Sequence, residues 1–174
     1  GQKVPVFVYT SYPSAELFIN GKSYGKQHKH NATLENRYRL MWYDAIYQPG
    51  EVKVVAYNEN GTAVDEKTVR TAGVPHHIEL STNVTGLKGN GKDLAYITVR
   101  IVDKNGNLCP TDNRELTFKV KGAGTFRASA NGDPTCLNRF HIPTMSAFNG
   151  MLTVIVQAGE KAGVLHLQVD GKGL

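Results

Sequence analysis

Cysteine is scarce in this sequence, and long apolar segments are absent. Two cysteines, Cys109 and Cys136, occur in 174 residues, which is too few for a disulfide-rich scaffold. They are either free or joined in one bridge. We favour free thiols, because Cys109 stands between Leu108 and Pro110 like a small buried residue. No apolar run approaches the roughly 18 residues of a transmembrane helix, and no signal-peptide pattern occurs, so we expect no membrane partner.

Helical periodicity is also lacking. Apolar and polar residues alternate with period two, as in the run that contains Ala15, Leu17 and Ile19. The pairs Asn20-Gly21 and Asn60-Gly61 follow or separate such runs, and both residue types tolerate a positive φ. The pattern therefore predicts antiparallel strands joined by tight hairpins.

Glycine and proline divide the chain near its middle. The sequence Ala72-Gly73-Val74-Pro75 separates two strand-rich blocks, so we expect domains at 1–74 and 75–174. Strands of five to ten residues with turns every 8–12 residues are typical of sandwiches. The predicted fold is all-β, with two tandem antiparallel β-sandwiches. We expect a third strand at Tyr38–Tyr43, and one long loop at Asn131–Pro143 in the second domain.

Basic residues are in slight excess, but they are not concentrated. The net charge of +5 is spread over both predicted domains. The densest basic cluster, between Lys22 and His30, adjoins turn glycines and is typical of a solvated hairpin tip. A nucleic-acid partner is not expected, because such proteins usually concentrate positive charge on one face.

Motifs for catalysis, metals and cofactors are missing. The sequence contains no G-x-S-x-G, no H-E-x-x-H and no P-loop. Its acidic residues lie mostly at strand ends or on polar strand faces, and no spacing selects a pair for glycoside hydrolysis. The segment Asp103–Asn107 has its glycine at the wrong position for an EF-hand, so it predicts a turn. We expect no metal, no cofactor and no catalytic residue in this chain.

Three aromatic residues cluster at Trp42, Tyr43 and Tyr47. Trp42 shares its parity with Leu40, so we expect it in a core, with Tyr43 facing outwards. Sugar binding needs flat apolar faces with amide and carboxylate groups around them. The candidate carbohydrate contacts are Tyr43, Tyr47, Asn131 and Asp133.

An ordered series of motifs resembles a known family. The first block carries A-E-L-F-I-N-G-K-S at 15–23, Y-Q-P-G-E-V at 47–52 and V-R-T-A-G at 69–73. The second carries D-L-A-Y-I-T-V at 93–99, V-D-K-N-G-N at 102–107, N-G-D-P at 131–134 and A-F-N-G at 147–150. Together they resemble the C-terminal Ig-like domains of bacterial glycoside hydrolase family 2 β-galactosidases. The resemblance implies that both sandwiches are Ig-like.

The resemblance also implies a role without catalysis. The family's catalytic glutamates lie in a barrel domain that this chain does not contain, so we expect an accessory region that supports domain packing in a parent enzyme. The barrel of the parent chain would be its partner. The length of loop 131–143 alone suggests the further hypothesis that this loop approaches the barrel. The alternatives are a carbohydrate-binding module, with carbohydrate as the partner, or an adhesion or spacer protein. A periplasmic or secreted parent is a further implication.

Overall fold

The fold is built almost entirely from strands. It is described by a computed structural model that covers all 174 residues. One helix, α1 (Leu34–Tyr38), interrupts the strands, and neither its length nor its hydropathy allows it to cross a membrane. The strands are β1 (Val6–Tyr9), β2 (Ser14–Ile19), β3 (Lys22–His28), β4 (Arg39–Trp42), β5 (Glu51–Tyr57), β6 (Ala63–Arg70), β7 (Pro75–Ser81), β8 (Leu94–Asp103), β9 (Glu115–Gly122), β10 (Gly124–Ala130), β11 (Thr144–Ser146), β12 (Met151–Ala158) and β13 (Leu165–Gly171).

The chain forms two compact units, Gly1–Thr71 and Ala72–Leu174. In the first unit, a four-stranded sheet has the order β3-β2-β5-β6, and β1 pairs with β4 in a two-stranded sheet. Their inner faces meet in a core that includes Leu17, Leu40 and Trp42. The alternation predicted for β2 is confirmed, because Ala15, Leu17 and Ile19 are buried while the residues between them are partly exposed.

The second unit is a sandwich of two antiparallel sheets. Their orders are β10-β12-β8-β7 and β11-β9-β13. Val99, Ile101 and Val154 from the first sheet pack with Leu116 and Met145 from the second, and all five are fully buried. The all-β fold with tandem Ig-like sandwiches is therefore confirmed.

The predicted long loop is also confirmed. No strand lies between the end of β10 at Ala130 and the start of β11 at Thr144. Cys109 is buried, as predicted, and both cysteines are free thiols.

The helix α1 was not predicted, and it shortens the strand expected at Tyr38–Tyr43. Tyr38 belongs to the helix, and the strand runs from Arg39 to Trp42. The Oγ1 of Thr33 accepts a hydrogen bond from the N–H of Asn36 at 3.3 Å, which caps the first turn. Five residues are too few to show a helical apolar stripe, so periodicity could not detect this element.

Two turns of the first unit are joined by one side chain. Asn20 has φ of +50° and Gly21 has φ of +79°, which confirms the predicted hairpin. The Oδ1 of Asn20 accepts from the N–H of Glu51 at 2.7 Å, and its Nδ2 donates to the carbonyl of Pro49 at 3.1 Å. Asn20 therefore fixes both its own hairpin and the turn that precedes β5.

Replacing Gly50 tests this junction. An alanine there would have to adopt φ of +132°, and its Cβ would overlap Oδ1 of Asn20. We expect Gly50→Ala to lower the free energy of unfolding of the first unit by about 2–3 kcal/mol. Urea denaturation followed by the fluorescence of Trp42, the only tryptophan, reports this unit.

The matched control is Gly61→Ala. Gly61 also has a positive φ, of +76°, but a Cβ there would meet no atom within 4 Å. This variant should lose only about 1 kcal/mol, the cost of a left-handed alanine. Equal losses in the two variants would contradict the role assigned to the Asn20 contact.

Candidate functional site

A buried carboxylate at the end of β8 organises the turn at 103–107. The Oδ1 of Asp103 accepts from the N–H groups of Asn105 at 2.8 Å and Asn107 at 2.9 Å. Its Oδ2 accepts from the N–H of Gly73 at 2.8 Å and from Nδ2 of Asn107 at 3.0 Å. These bonds, first that from Gly73 and then that from the Asn107 side chain, hold the pKa of Asp103 well below its usual range. The turn predicted at Asp103–Asn107 is confirmed.

The other perturbed carboxyl groups share this direction of shift. Hydrogen bonds and ion pairs lower the pKa of Glu35, Asp44, Asp112, Asp133 and Asp170. A general acid for glycoside hydrolysis needs a raised pKa instead, so that it carries a proton to the leaving oxygen. No three His, Cys, Asp or Glu side chains are grouped so that they could hold a metal ion. The perturbed acids therefore act as fixed acceptors within turns and ion pairs.

The structure separates Trp42 from its aromatic neighbours, as predicted. Trp42 is only 4% exposed, and its Nε1–H donates to the carbonyl of Gly25 at 3.0 Å. Tyr43 points the other way and is 60% exposed. Tyr47 is exposed too, while its backbone N–H donates to the carbonyl of Gln2 at 2.8 Å. Both tyrosine rings are accessible, and their contact with sugar stays a prediction.

Asn131 and Asp133 belong to the second unit, and both hold the long loop in shape. The Nδ2 of Asn131 donates to the carbonyl of Ser146 at 3.0 Å, and its Oδ1 accepts from the N–H of Asp133 at 3.0 Å. The Oδ1 of Asp133 accepts from both the N–H and the hydroxyl of Thr135. Their contact with sugar also stays a prediction, and the structure adds an internal role for each.

Loop 131–143 exposes apolar side chains although it is held by hydrogen bonds. Leu137 is 96% exposed, and Phe140 and Ile142 are also exposed. The backbone is fixed at both sides of this tip, because Ser129 N–H donates to the carbonyl of Phe140 at 2.8 Å and Cys136 N–H to that of Asp133 at 3.1 Å. An ordered loop with three exposed apolar side chains is typical of a contact surface.

A second exposed surface lies on the outer side of the β1–β4 pair. We name it the ribbon face. It consists of Phe7, Tyr9, Arg39, Met41 and Tyr43. Phe7 is paired with Met41 and Tyr9 with Arg39, and the ring of Tyr43 meets that of Phe7 edge-on, with centroids 6.0 Å apart. The residues between them in β1 and β4, such as Val8 and Leu40, point into the core instead.

Arg39 lies at one end of the ribbon face, paired with Tyr9, and has few partners. Its guanidinium carbon is 5.0 Å from the ring centroid of Phe7, and Nη1 donates to the hydroxyl of Tyr9 at 3.2 Å. That hydrogen bond raises the pKa of Arg39. Its Nε is buried without an acceptor, and none of the six ion pairs includes it. The guanidinium of Arg39 is therefore a cation whose N–H donors mostly have no acceptor in the protein.

Sequence reasoning selected Tyr43 from this surface but missed its other members. Phe7 and Tyr9 alternate with the apolar Val6 and Val8, so both parities of β1 are apolar and the outer face is not marked by polarity. The pairing of Phe7 with Met41 joins segments 34 residues apart. No local pattern reveals such a pairing.

The second unit also contains a groove of about 590 Å³ at one end of its sandwich. Its depth is apolar, with Ile97, Val156 and Leu165 among the lining side chains, and its rim includes Thr82 and Lys161. The volume lies in the range of small-molecule pockets. Residues of two loops, 82–89 and 161–164, line the groove together with side chains of β8, β12 and β13.

Comparison with known proteins relates both units to glycosidases. Residues 78–174 match a family described as glycoside hydrolase family 2 C-terminal domain 5, and residues 1–65 match a domain of unknown function, DUF4982. The beta-galactosidase BoGH2A of Bacteroides ovatus is 36% identical over 175 residues, covering all of this chain and 20% of that protein. A beta-glucuronidase of Formosa agariphila is 27% identical, covering 99% of this chain and 17% of that protein.

Solved structures agree with these similarities. A glycosyl hydrolase family 2 member from Bacteroides cellulosilyticus matches with a TM-score of 0.87 and 30% identity, over 99% of this chain and 23% of that one. A beta-glycosidase from Bacteroides vulgatus matches with a TM-score of 0.88 and 30% identity, over 99% of this chain and 21% of that one. The chain thus spans about a fifth of the length of the relatives that it matches.

Replacing Asp103 tests the role of its carboxylate. Asp103→Asn leaves buried donors without an acceptor, so we expect the second unit to melt roughly 10 °C lower at pH 7. The folded-state pKa lies below the unfolded value near 4, so the carboxylate stabilises the fold fully above about pH 5 and progressively less as the pH falls further. The difference in stability between the original chain and the variant should therefore become smaller below about pH 4.

Amide hydrogen exchange in the second unit, measured from pH 7 to pH 2, reports this difference in stability at each pH. The control is Glu115→Gln, because Glu115 is exposed and makes no side-chain hydrogen bond. It should change stability by less than about 0.5 kcal/mol. A difference between Asp103→Asn and the original chain that stays constant down to pH 2 would refute the account.

Proposed function

The chain belongs to glycoside hydrolase family 2, and from this premise we propose that it is a non-catalytic accessory region that packs against the rest of a family 2 glycosidase. Its relatives are about five times longer, so most of such a parent chain lies outside the 174 residues. The catalytic barrel of that parent, proposed from the family resemblance, is the partner. A periplasmic or secreted location of the parent is part of the same proposal.

The observation that carries the proposal is the apolar tip of loop 131–143. Burying a large aliphatic or aromatic side chain contributes about 1.5–3 kcal/mol, so exposed Leu137 and Phe140 represent binding energy that folding of this unit does not use. The hydrogen bonds of Asn131 and Asp133 already order the loop, so docking would cost little further entropy. Aliphatic side chains such as Leu137 favour a protein surface over a polar ligand.

The acidic side chains support the non-catalytic part of the proposal. Every resolved shift in the pKa of a carboxyl group is downward, as at Asp103 and Asp112. Asp112 is bound to the guanidinium of Arg114 by three hydrogen bonds, which keeps it ionised. Ionised acids held in turns and ion pairs are unsuited to protonating a glycosidic oxygen.

Hydrogen exchange tests the docking of the loop. Amides of 131–143 should exchange at least about tenfold more slowly in the full-length parent glycosidase than in the 174-residue chain, because docking excludes water from the tip. The double variant Leu137→Ser/Phe140→Ser, made in the parent, should lose most of this protection. In the 174-residue chain, the same variant should leave stability almost unchanged, since both side chains are exposed there.

The matched control is Val164→Ser, another exposed apolar side chain of the second unit. It should leave exchange in 131–143 unaltered in the parent. Equal exchange of the loop in the parent and in the 174-residue chain would overturn the proposed contact.

A further inference from the structure

We propose that the ribbon face binds acidic sugars, with aromatic rings stacking on the pyranose and Arg39 pairing with its carboxylate. This inference goes beyond the packing role, and it rests on residues of the first unit that the loop contact does not use. The ligand class is an oligosaccharide that bears uronate groups.

The shape of the ribbon face suits a sugar ring. The paired strands support three exposed aromatic side chains, and Phe7, Tyr9 and Tyr43 are 43%, 69% and 60% exposed. The C–H bonds of a pyranose pack against such rings, while hydroxyl groups at the edge form hydrogen bonds. The hydroxyls of Tyr9 and Tyr43 provide polar groups beside the apolar area.

The charge of the ribbon face selects an acidic ligand. Arg39 makes one side-chain hydrogen bond, to Tyr9, and no ion pair. A guanidinium has five N–H donors, so most of those on Arg39 have no acceptor in the protein. A carboxylate supplies two acceptors in the geometry of the guanidinium fork, and a neutral sugar does not.

The support beneath this face is part of the core of the first unit. Val6 and Val8 of β1, with Leu40 and Trp42 of β4, pack into the core of the first unit. The contact between Arg39 and Phe7 also holds the guanidinium over the ring. Because the strands are held by this core, binding needs little ordering of their backbone.

The chemistry of the ribbon face differs from that of the apolar loop tip. Leu137 and Ile142 offer aliphatic surface, whereas the ribbon face combines tyrosine hydroxyls with a cation. An aliphatic surface gains free energy when it is buried against apolar protein atoms, and it needs no hydrogen-bond partner. The same kind of burial would remove water from the remaining N–H donors of Arg39. That loss costs free energy unless the partner supplies acceptors.

Calorimetric titration of the 174-residue chain tests the inference. The probes are α-1,4-trigalacturonate and its uncharged counterpart α-1,4-galactotriose, which differ only in the carboxylates. We expect the acidic probe to bind about tenfold more tightly or better, and its affinity to fall as salt is added. Arg39→Gln should reduce its affinity to that of the neutral probe, and Tyr43→Ala should weaken both probes by about fivefold or more.

Arg37→Gln is the matched control, because Arg37 lies on α1 above Tyr38 and is not part of the ribbon face. It should leave both affinities unchanged. Amide NMR shifts of the unmodified chain provide a test that needs no variant: trigalacturonate should shift Phe7, Tyr9 and Met41 most. Equal binding of the two probes, absence of binding at millimolar concentration, or shifts confined to other residues would each overturn the inference.

Discussion

The alternation of side chains along each strand is the constraint on which the structure depends. In β12, Leu152, Val154 and Val156 enter the core, while the residues between them face outwards. Because a sheet has two faces, a sandwich buries one face of each and leaves the other unused by folding. Apolar residues on a covered face are explained by stability. Apolar residues on an outer face, such as Phe7 and Tyr9, need another explanation.

Polar side chains at the ends of strands fix where the alternation stops. Asn20 joins two turns of the first unit, and Asp103 gathers four N–H donors in the second. Each satisfies backbone groups that would otherwise be costly to bury. The same bonds keep the carboxylate of Asp103 ionised. Acids of this kind act as structural acceptors in turns and ion pairs.

Much of the fold could be predicted from the sequence, because its determinants are local. Period two and asparagine–glycine pairs identify strands and hairpins, and parity alone distinguishes buried Trp42 from exposed Tyr43. The limits of loop 131–143 were also predicted, but the exposure of Leu137 was not. The ribbon face needed the pairing of β1 with β4, which is non-local, and α1 was too short to leave a pattern.

Family membership and surface chemistry together support the role proposed for this chain. The second unit matches a C-terminal domain of family 2 glycosidases, and the chain spans about a fifth of its relatives. The central proposal is that these 174 residues perform no glycoside hydrolysis themselves. The most direct test is to incubate the purified chain with p-nitrophenyl β-galactoside and p-nitrophenyl β-glucuronide and to measure release of nitrophenol. The account predicts release at the uncatalysed rate; faster release that disappears when one Asp or Glu of the chain is replaced would contradict it.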